Sequence, residues 1–211
     1  MLSVLFQEPL VFLIWIFAIL IALSLHEFSH ALAATLQGDQ TAKNMGRLTL
    51  NPVAHVDPLG ILALILAGFG WGKPVPFNTY NLRNQKWGPV FIAFAGPAMN
   101  LVVATVAVII LRFAAPALGD ANLLVQLLFL LVFLNLALLL FNLIPIPPLD
   151  GSKFLLAVLS KPSQAHIRLF LETRGPFLLI GLIILDSLLN LNLFGFLFTL
   201  IGGFIRVMAG I

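Results

Sequence analysis

The chain has 211 residues, of which 61% belong to the hydrophobic set and only 9% are charged, and its mean hydropathy is +1.09. Soluble domains carry about 25% charged residues, so this composition excludes a water-soluble globule and indicates lipid as the main solvent. The net charge of +3 is too small to indicate a nucleic-acid partner, and the lack of cysteine excludes disulfides and thiolate metal sites. We therefore expect an all-α polytopic membrane protein with a single domain over residues 1–211.

Long uncharged runs locate the predicted membrane segments, and they cover residues 9–25, 87–111, 121–149 and 187–205. A spanning helix needs about 20 mostly apolar residues, so the first three runs predict spanning helices. The first is expected to be uncleaved and to extend to about Gln37. The last run lies in residues 175–211, where Asp186 and the turn at Asn190–Asn192 allow either a tight helical hairpin or one span plus an interfacial helix. The total prediction is about four to six membrane-embedded segments.

A shorter apolar segment at residues 58–72 separates the first two predicted spans. Fifteen residues suit a re-entrant or interfacial element better than a span. The polar segments on either side, residues 41–50 and 73–84, favour short strands. We therefore predict a small strand/re-entrant element, whose edge near Lys73–Phe77 could bind an extended substrate by β-augmentation.

Basic residues are unevenly distributed between the predicted loops. Nine of the eleven lysine and arginine residues lie in residues 38–87 and 148–174. The positive-inside rule then places these two loops in the cytosol. The predicted location is the cell membrane, of the prokaryotic cytoplasmic kind.

The sequence His26-Glu27-Phe28-Ser29-His30 is an H-E-x-x-H motif. On a helix, residues i and i+4 share a face, so both imidazoles can bind one zinc ion while Glu27 acts as general base toward an activated water. In a soluble helix the same pattern is commonly a solvated polar face. Here it follows 17 uncharged residues, or roughly 25 Å of helix. That depth places the motif inside the bilayer toward the cytosolic side, where ionisable groups usually mark function.

Two histidines leave such a site one protein ligand short, and Asp150 is the strongest candidate for the third. It follows the uncharged run 121–149, in which three prolines near the end stop the helix. Irregular backbone at this depth requires a buried or wet environment, and Gly151 allows a close turn. In the alternative interpretation, Asp150 caps a helix that begins at Gly151, and the two roles are compatible.

Several other polar residues have two interpretations. Asn142 could hydrogen-bond a developing oxyanion or the substrate backbone, or it could make an interhelical hydrogen bond. Asn100 and Asn135 favour helix packing. His55 and Asp57 lie in a predicted loop turn, although His55 could also be an additional or inhibitory ligand.

Four ordered motifs resemble the site-2 protease family of intramembrane zinc metalloproteases: His26–His30, Asn51–Gly60, Gly96–Asn100 and Asn142–Gly151. The chain looks like the small prokaryotic branch, which has no PDZ domain. The resemblance implies transmembrane protein substrates, Zn²⁺ as cofactor and a role for Asn142 near the scissile carbonyl. It also implies that Glu27 is the catalytic base and that the zinc ligands are His26, His30 and Asp150.

Two rival functions use the same residues. A zinc or proton transporter would need further acidic or histidine ligands along a path, yet the runs 87–111 and 121–149 contain no ionisable residue. A proteolytically inactive scaffold would not need Glu27, because a structural zinc site requires no base. The oligomeric state and the natural substrate are not encoded in any of these patterns.

Overall fold

The computed structural model describes residues 6–67 and 70–210, and within these ranges the chain forms eight α-helices. In chain order they are α1 (Pro9–Leu36), α2 (Thr41–Asn44), α3 (Pro58–Ala67), α4 (Gly88–Leu118), α5 (Leu123–Asn142), α6 (Gly151–Val158), α7 (Ala165–Leu188) and α8 (Leu193–Ala209). Among the described residues, α1, α4 and α5 are long and apolar enough to cross a membrane, and the bent pair α7 and α8 could supply a fourth span. This architecture agrees with the predicted all-α polytopic membrane protein.

Local sequence signals set the ends of the long helices. Helix α1 begins at Pro9, which suits the first turn because its missing amide hydrogen has no helical partner there. It ends just before Gly38, whose φ of 107° is unfavourable for residues with a side chain. Helix α4 ends at Gly119, with φ of 78°. Helix α5 begins after Asn122, whose side chain accepts a hydrogen bond from the Leu124 amide.

Helices α1, α4 and α5 form the centre of the bundle, and α8 packs on α4 and α5. The hydrophobic cluster between α4, α5 and α8 includes Leu111, Val132 and Ile205, all almost completely buried. The inner face of α1 is lined with buried alanines, namely Ala18, Ala22, Ala31 and Ala34. Small residues of this kind allow helix backbones to approach closely in a membrane. Close packing of α1 against its neighbours positions the polar residues near the end of α1.

A closed loop built on α3 connects α1 to α4. Asp57 holds both of its ends, because its carboxylate accepts hydrogen bonds from the Leu59 amide at 2.9 Å and the Trp71 indole at 3.2 Å. At Gly60 a Cβ atom would overlap the Trp71 backbone, so glycine is needed for this contact. The ten-residue α3 is too short to span a membrane. The predicted short element between the first two spans is thus confirmed as a helix, its re-entrant or interfacial placement stays a prediction, and Asp57 takes the predicted turn role.

The predicted flanking strands are wrong. Residues 41–50 begin with the helical turn α2, and the described residues show an isolated antiparallel bridge between Val56 and Gly72 but no strand. Two causes are visible after Gly72. The Arg47 guanidinium binds the carbonyls of Lys73 at 2.5 Å and Pro74 at 3.1 Å, and the prolines in this segment donate no hydrogen bonds. The β-augmentation hypothesis therefore has no strand edge within the described ranges.

The C-terminal helices α7 and α8 meet at an angle of 85°. The turn between them contains Asn190 and Asn192, both with positive φ. Asp186 stabilises the bend, since its carboxylate accepts a hydrogen bond from the Leu193 amide at 2.7 Å. Of the two arrangements that the sequence allowed, the tight antiparallel hairpin is excluded.

Candidate metal centre

Three potential ligand atoms converge between α1 and the start of α6. The Nε2 atoms of His26 and His30 are 3.0 Å apart, and each is 3.3 Å from Oδ2 of Asp150. In the described part of the chain, these residues form the only group of three histidine, cysteine or acidic side chains that could hold a metal ion. The structure thus brings together all three residues predicted as metal ligands.

Helix α1 positions the two imidazoles on one face. His26 and His30 are four residues apart, and their rings meet edge to face with centroids 4.6 Å apart. Nδ1 of His30 lies 2.7 Å from the carbonyl oxygen of Ile92. Because a carbonyl only accepts hydrogen bonds, His30 carries its proton on Nδ1 and presents the lone pair of Nε2 to the centre. Nδ1 of His26 lies 2.5 Å from Oδ1 of Asn100.

Asp150 reaches the histidines because the chain turns sharply between α5 and α6. At Gly151 a Cβ atom would overlap the carbonyls of Leu143 and Ile144, so glycine is required for this close approach. Asp150 occupies the position before α6, yet its side chain makes no capping hydrogen bond. The alternative interpretation as a side-chain cap is therefore wrong. Its Oδ2 atom is buried and faces the Nε2 atoms of His26 and His30, each 3.3 Å away.

The chemistry of this group fits a bound cation. Two imidazole lone pairs and a carboxylate oxygen face one another, and such a set of acceptors is repulsive without a positive charge between them. Ligand atoms about 2.0–2.1 Å from a tetrahedral zinc ion are about 3.3 Å apart. The observed separations of 3.0, 3.3 and 3.3 Å are close to this value. Two histidines and one carboxylate also leave a fourth position open, as in catalytic zinc sites.

Gly96 of α4 provides the space that the two imidazoles occupy. A Cβ atom at this position would lie 2.5 Å from Nε2 of His30 and 2.6 Å from Cε1 of His26. Cβ atoms essentially never make contacts below 3.0 Å. Gly96 begins the Gly96–Asn100 motif noted in the sequence, and the structure shows that its neighbours are the metal-ligand candidates.

Glu27 is buried next to His26 on α1. Its Oε1 atom lies beside Gly72 in the loop that follows α3, where a Cβ atom would be 3.3 Å away. Within residues 6–67 and 70–210, no side chain or backbone amide donates a hydrogen bond to its carboxylate. An acid held beside a metal centre without such a donor is able to exchange a proton with a bound molecule.

Two other candidates lie apart from the three converging atoms. The Asn142 side chain donates a hydrogen bond to the Leu138 carbonyl at 3.0 Å, and no hydrogen bond connects it to the histidines or to Asp150. Its catalytic role stays a prediction. His55 is fully buried, and its Nε2 atom donates to the Thr49 carbonyl at 2.7 Å, so this nitrogen is not a metal ligand.

The centre lies near one end of the bundle. His30 is six residues before the end of α1, and Ile92 is four residues after the start of α4. At a rise of about 1.5 Å per residue, these distances are roughly 9 and 6 Å. Asp150 lies beyond the last residue of α5. The loops that carry most of the basic residues leave the bundle at this same end.

The sequence interpretation underestimated two asparagines. Asn100 and Asn135 are completely buried, and a hydrogen bond of 2.8 Å links them. They contribute to helix packing, as predicted, but Asn100 also contacts His26. Their position within otherwise uncharged runs was the available signal, because a buried amide in a membrane needs a specific partner.

Comparisons with known proteins agree with this arrangement. The model of peptidase family M50 matches residues 14–120 and 113–185. A Bacillus subtilis protein named "Putative zinc metalloprotease YwhC" is 38% identical over 149 residues, which cover 66% of each chain. Proteins named "Putative zinc metalloprotease Rip2" from Mycolicibacterium smegmatis and Mycobacterium tuberculosis are 38% and 37% identical over 67% of this chain and 55% of theirs.

The chain thus aligns with somewhat more than half of the length of these curated relatives. No solved structure gives a significant match. The family model covers well over half of the chain and includes the H-E-x-x-H motif. On this evidence, and in agreement with the resemblance drawn from its motifs, the chain belongs to peptidase family M50.

Proposed function

We propose that this membrane protein is a zinc metalloprotease that hydrolyses peptide bonds of transmembrane protein substrates within or beside the bilayer. The observation that carries the proposal is the convergence of three acceptor atoms beside Glu27, inside a bundle of apolar helices. Zinc is the metal named for the M50 relatives, and it is also the metal predicted from the sequence. His26, His30 and Asp150 would hold it.

Each residue has a specific task in this proposal. Zinc, when bound, supplies Lewis acidity that activates a water molecule for attack on the scissile carbonyl. The Glu27 carboxylate accepts the proton that this water loses and passes it to the nitrogen of the departing amine. Asn142 would turn from the Leu138 carbonyl and donate its hydrogen bond to the substrate oxygen.

The site would open toward the cytosolic side of the cell membrane. The positive-inside rule supports this orientation, because the basic loops leave the bundle at the end near the metal centre. Of the three proposed ligands, Asp150 has the most accessible side chain, at 19%. Water and an unwound segment of substrate would approach from that direction.

The transporter alternative receives little support from the described spans. Arg112 is the one ionisable residue in α4, and α5 has none. Arg112 donates a hydrogen bond to the Met208 carbonyl near the end of α8, away from the histidines. A transport path for zinc or protons would require additional ligands across the bilayer.

The decisive experiment compares the wild type with Glu27→Gln in proteoliposomes that contain a reporter with one transmembrane helix. Both proteins should bind one zinc per chain, whereas cleavage should fall by about 10²–10⁴-fold in the variant, the usual contribution of a general base. His30→Ala should lose both zinc and cleavage. Equal cleavage by the wild type and Glu27→Gln at matched zinc content would contradict the proposed role of Glu27.

A further inference from the structure

A chain of buried side-chain amides extends from His26 across the bundle. Nδ1 of His26 meets Oδ1 of Asn100 on α4, and Nδ2 of Asn100 donates to Oδ1 of Asn135 on α5 at 2.8 Å. Nδ2 of Asn135 then donates to the backbone carbonyl of Leu131 at 2.8 Å. We call the pair Asn100 and Asn135 the amide relay. Both of its residues are inaccessible to solvent, so water cannot substitute for any of these partners.

The far end of the relay fixes the direction of every hydrogen bond in it. The Leu131 carbonyl can only accept, so Asn135 must present its NH₂ group there and its oxygen to Asn100. Asn100 must in turn present its NH₂ group to Asn135 and its oxygen to His26. Nδ1 of His26 is therefore the donor, which leaves the lone pair of Nε2 directed at the metal centre. A backbone carbonyl on α5 thus determines the tautomer of a histidine on α1.

The opposite tautomer of His26 would have a favourable partner in the metal-free protein. The Nε2 atoms of His26 and His30 are 3.0 Å apart, which is hydrogen-bonding distance. A proton on Nε2 of His26 would bond to the lone pair of His30 or to Oδ2 of Asp150, which lies 3.3 Å away, and it would occupy the position of the metal. The relay opposes this pairing, because the reversed tautomer would leave buried amide groups without partners, at a cost of about 1–3 kcal/mol per group.

We propose that the amide relay is a tautomer lock, in which Asn135 acts through Asn100 as a positioning residue for zinc binding by His26. This inference rests on the proposed role of His26 as a zinc ligand. Partners of metal-bound histidines typically affect metal affinity by 10–100-fold when removed. The relay extends this effect to Asn135, whose described hydrogen bonds go to Asn100 and the Leu131 carbonyl and not to a proposed ligand.

The first test measures the tautomer directly in the metal-free, full-length protein. Nitrogen-15 NMR of labelled histidine distinguishes protonated from unprotonated Nδ1, and it requires neither zinc nor proteolysis. We expect His26 to carry its proton on Nδ1 in the wild type and to lose this preference in Asn135→Leu. A wild-type His26 that carries its proton on Nε2 would overturn the proposal, whatever the folding of the variants.

The second test measures zinc affinity by competition with a chelator. We expect a loss of about 10–100-fold in Asn100→Leu and about tenfold in Asn135→Leu. Asn100→Asp keeps an acceptor for Nδ1 of His26 but removes the donor to Asn135, so its zinc affinity should lie between those of Asn100→Leu and the wild type. Gln126→Leu removes an amide from α5 outside the relay and serves as the matched control. It should leave zinc affinity and the His26 tautomer unchanged.

These outcomes separate a tautomer lock from simple helix packing. If Asn135→Leu kept both wild-type zinc affinity and the wild-type His26 tautomer, or if Gln126→Leu lost as much affinity as Asn135→Leu, the proposal would be refuted. The result is also independent of the proteolytic assignment. Unchanged cleavage in Glu27→Gln would remove the proposed function of Glu27, while the NMR spectrum and the zinc titration would still decide the role of the relay.

Discussion

The substitution Gly96→Ala provides a stringent test of the metal centre. The added methyl group would lie 2.5 Å from Nε2 of His30 and 2.6 Å from Cε1 of His26. Ordinary contacts between such atoms are about 3.5 Å or longer, so the imidazoles must retreat by roughly 1 Å. Metal–ligand distances tolerate deviations of only about 0.2 Å. A displacement several times larger should reduce zinc affinity at least 100-fold and abolish cleavage.

The assay is zinc content after equilibration with a graded series of chelator concentrations, measured by elemental analysis of detergent-purified protein. Gly202→Ala on α8 is the matched control, since a Cβ atom there meets nothing within 4 Å. This control should keep full zinc affinity and gain slight stability from the better helix propensity of alanine. If Gly96→Ala bound zinc with wild-type affinity, the two histidines would not form the metal site described above.

Two further substitutions test the surrounding structure. Gly151→Ala should displace Asp150, because the new methyl group would overlap two backbone carbonyls. A chelator titration should then show a zinc affinity at least tenfold lower than that of the wild type. An unaltered zinc affinity would remove Asp150 from the ligand set. Asp39→Ala removes a carboxylate that accepts four hydrogen bonds, two from Thr41 and one each from Asn78 and Asn81. The Tm should fall by more than about 3–12 °C, which is the shift expected for a single hydrogen bond to a charged group at about 1.5–3 kcal/mol. Burial alone would raise the pKa of Asp39. Hydrogen bonds to its carboxylate, above all from the Thr41 side chain, outweigh this effect and hold the pKa below its usual range. The stabilisation is therefore present above about pH 4 and decreases as the pH falls through the lowered pKa, so thermal melts of the wild type, but not of Asp39→Ala, should show this loss.

The sequence contained enough information for the three long helices and for the set of proposed ligands. Uncharged runs are a direct consequence of the cost of charges in lipid, so they locate spans without any knowledge of tertiary contacts. The i, i+4 spacing places His26 and His30 on one face. Asp150 was identifiable because a carboxylate at a proline-terminated helix end needs a partner at that depth.

Other features depend on contacts between distant segments and could not be predicted from local patterns. The hydrogen bond between His26 and Asn100 joins residues 74 positions apart, and no periodicity indicates which buried amide meets an imidazole. The strand prediction failed because alternation in a short polar segment does not reveal that Arg47 binds its carbonyls. The bend at Asn190–Asn192 depends on Asp186, whose capping bonds bridge seven or eight residues.

The separation of the ligand candidates along the chain has a consequence for biogenesis. Asp150 lies 120 residues after His30, so at about 5–20 residues per second its synthesis follows that of the histidines by roughly 6–24 s. During this interval a growing chain offers only two of the three proposed ligands. Zinc loading that uses all three proposed ligands can therefore begin only after α1, α4 and α5 have been synthesised. A nascent or truncated chain that ends before Asp150 would therefore lack the complete set of proposed metal ligands.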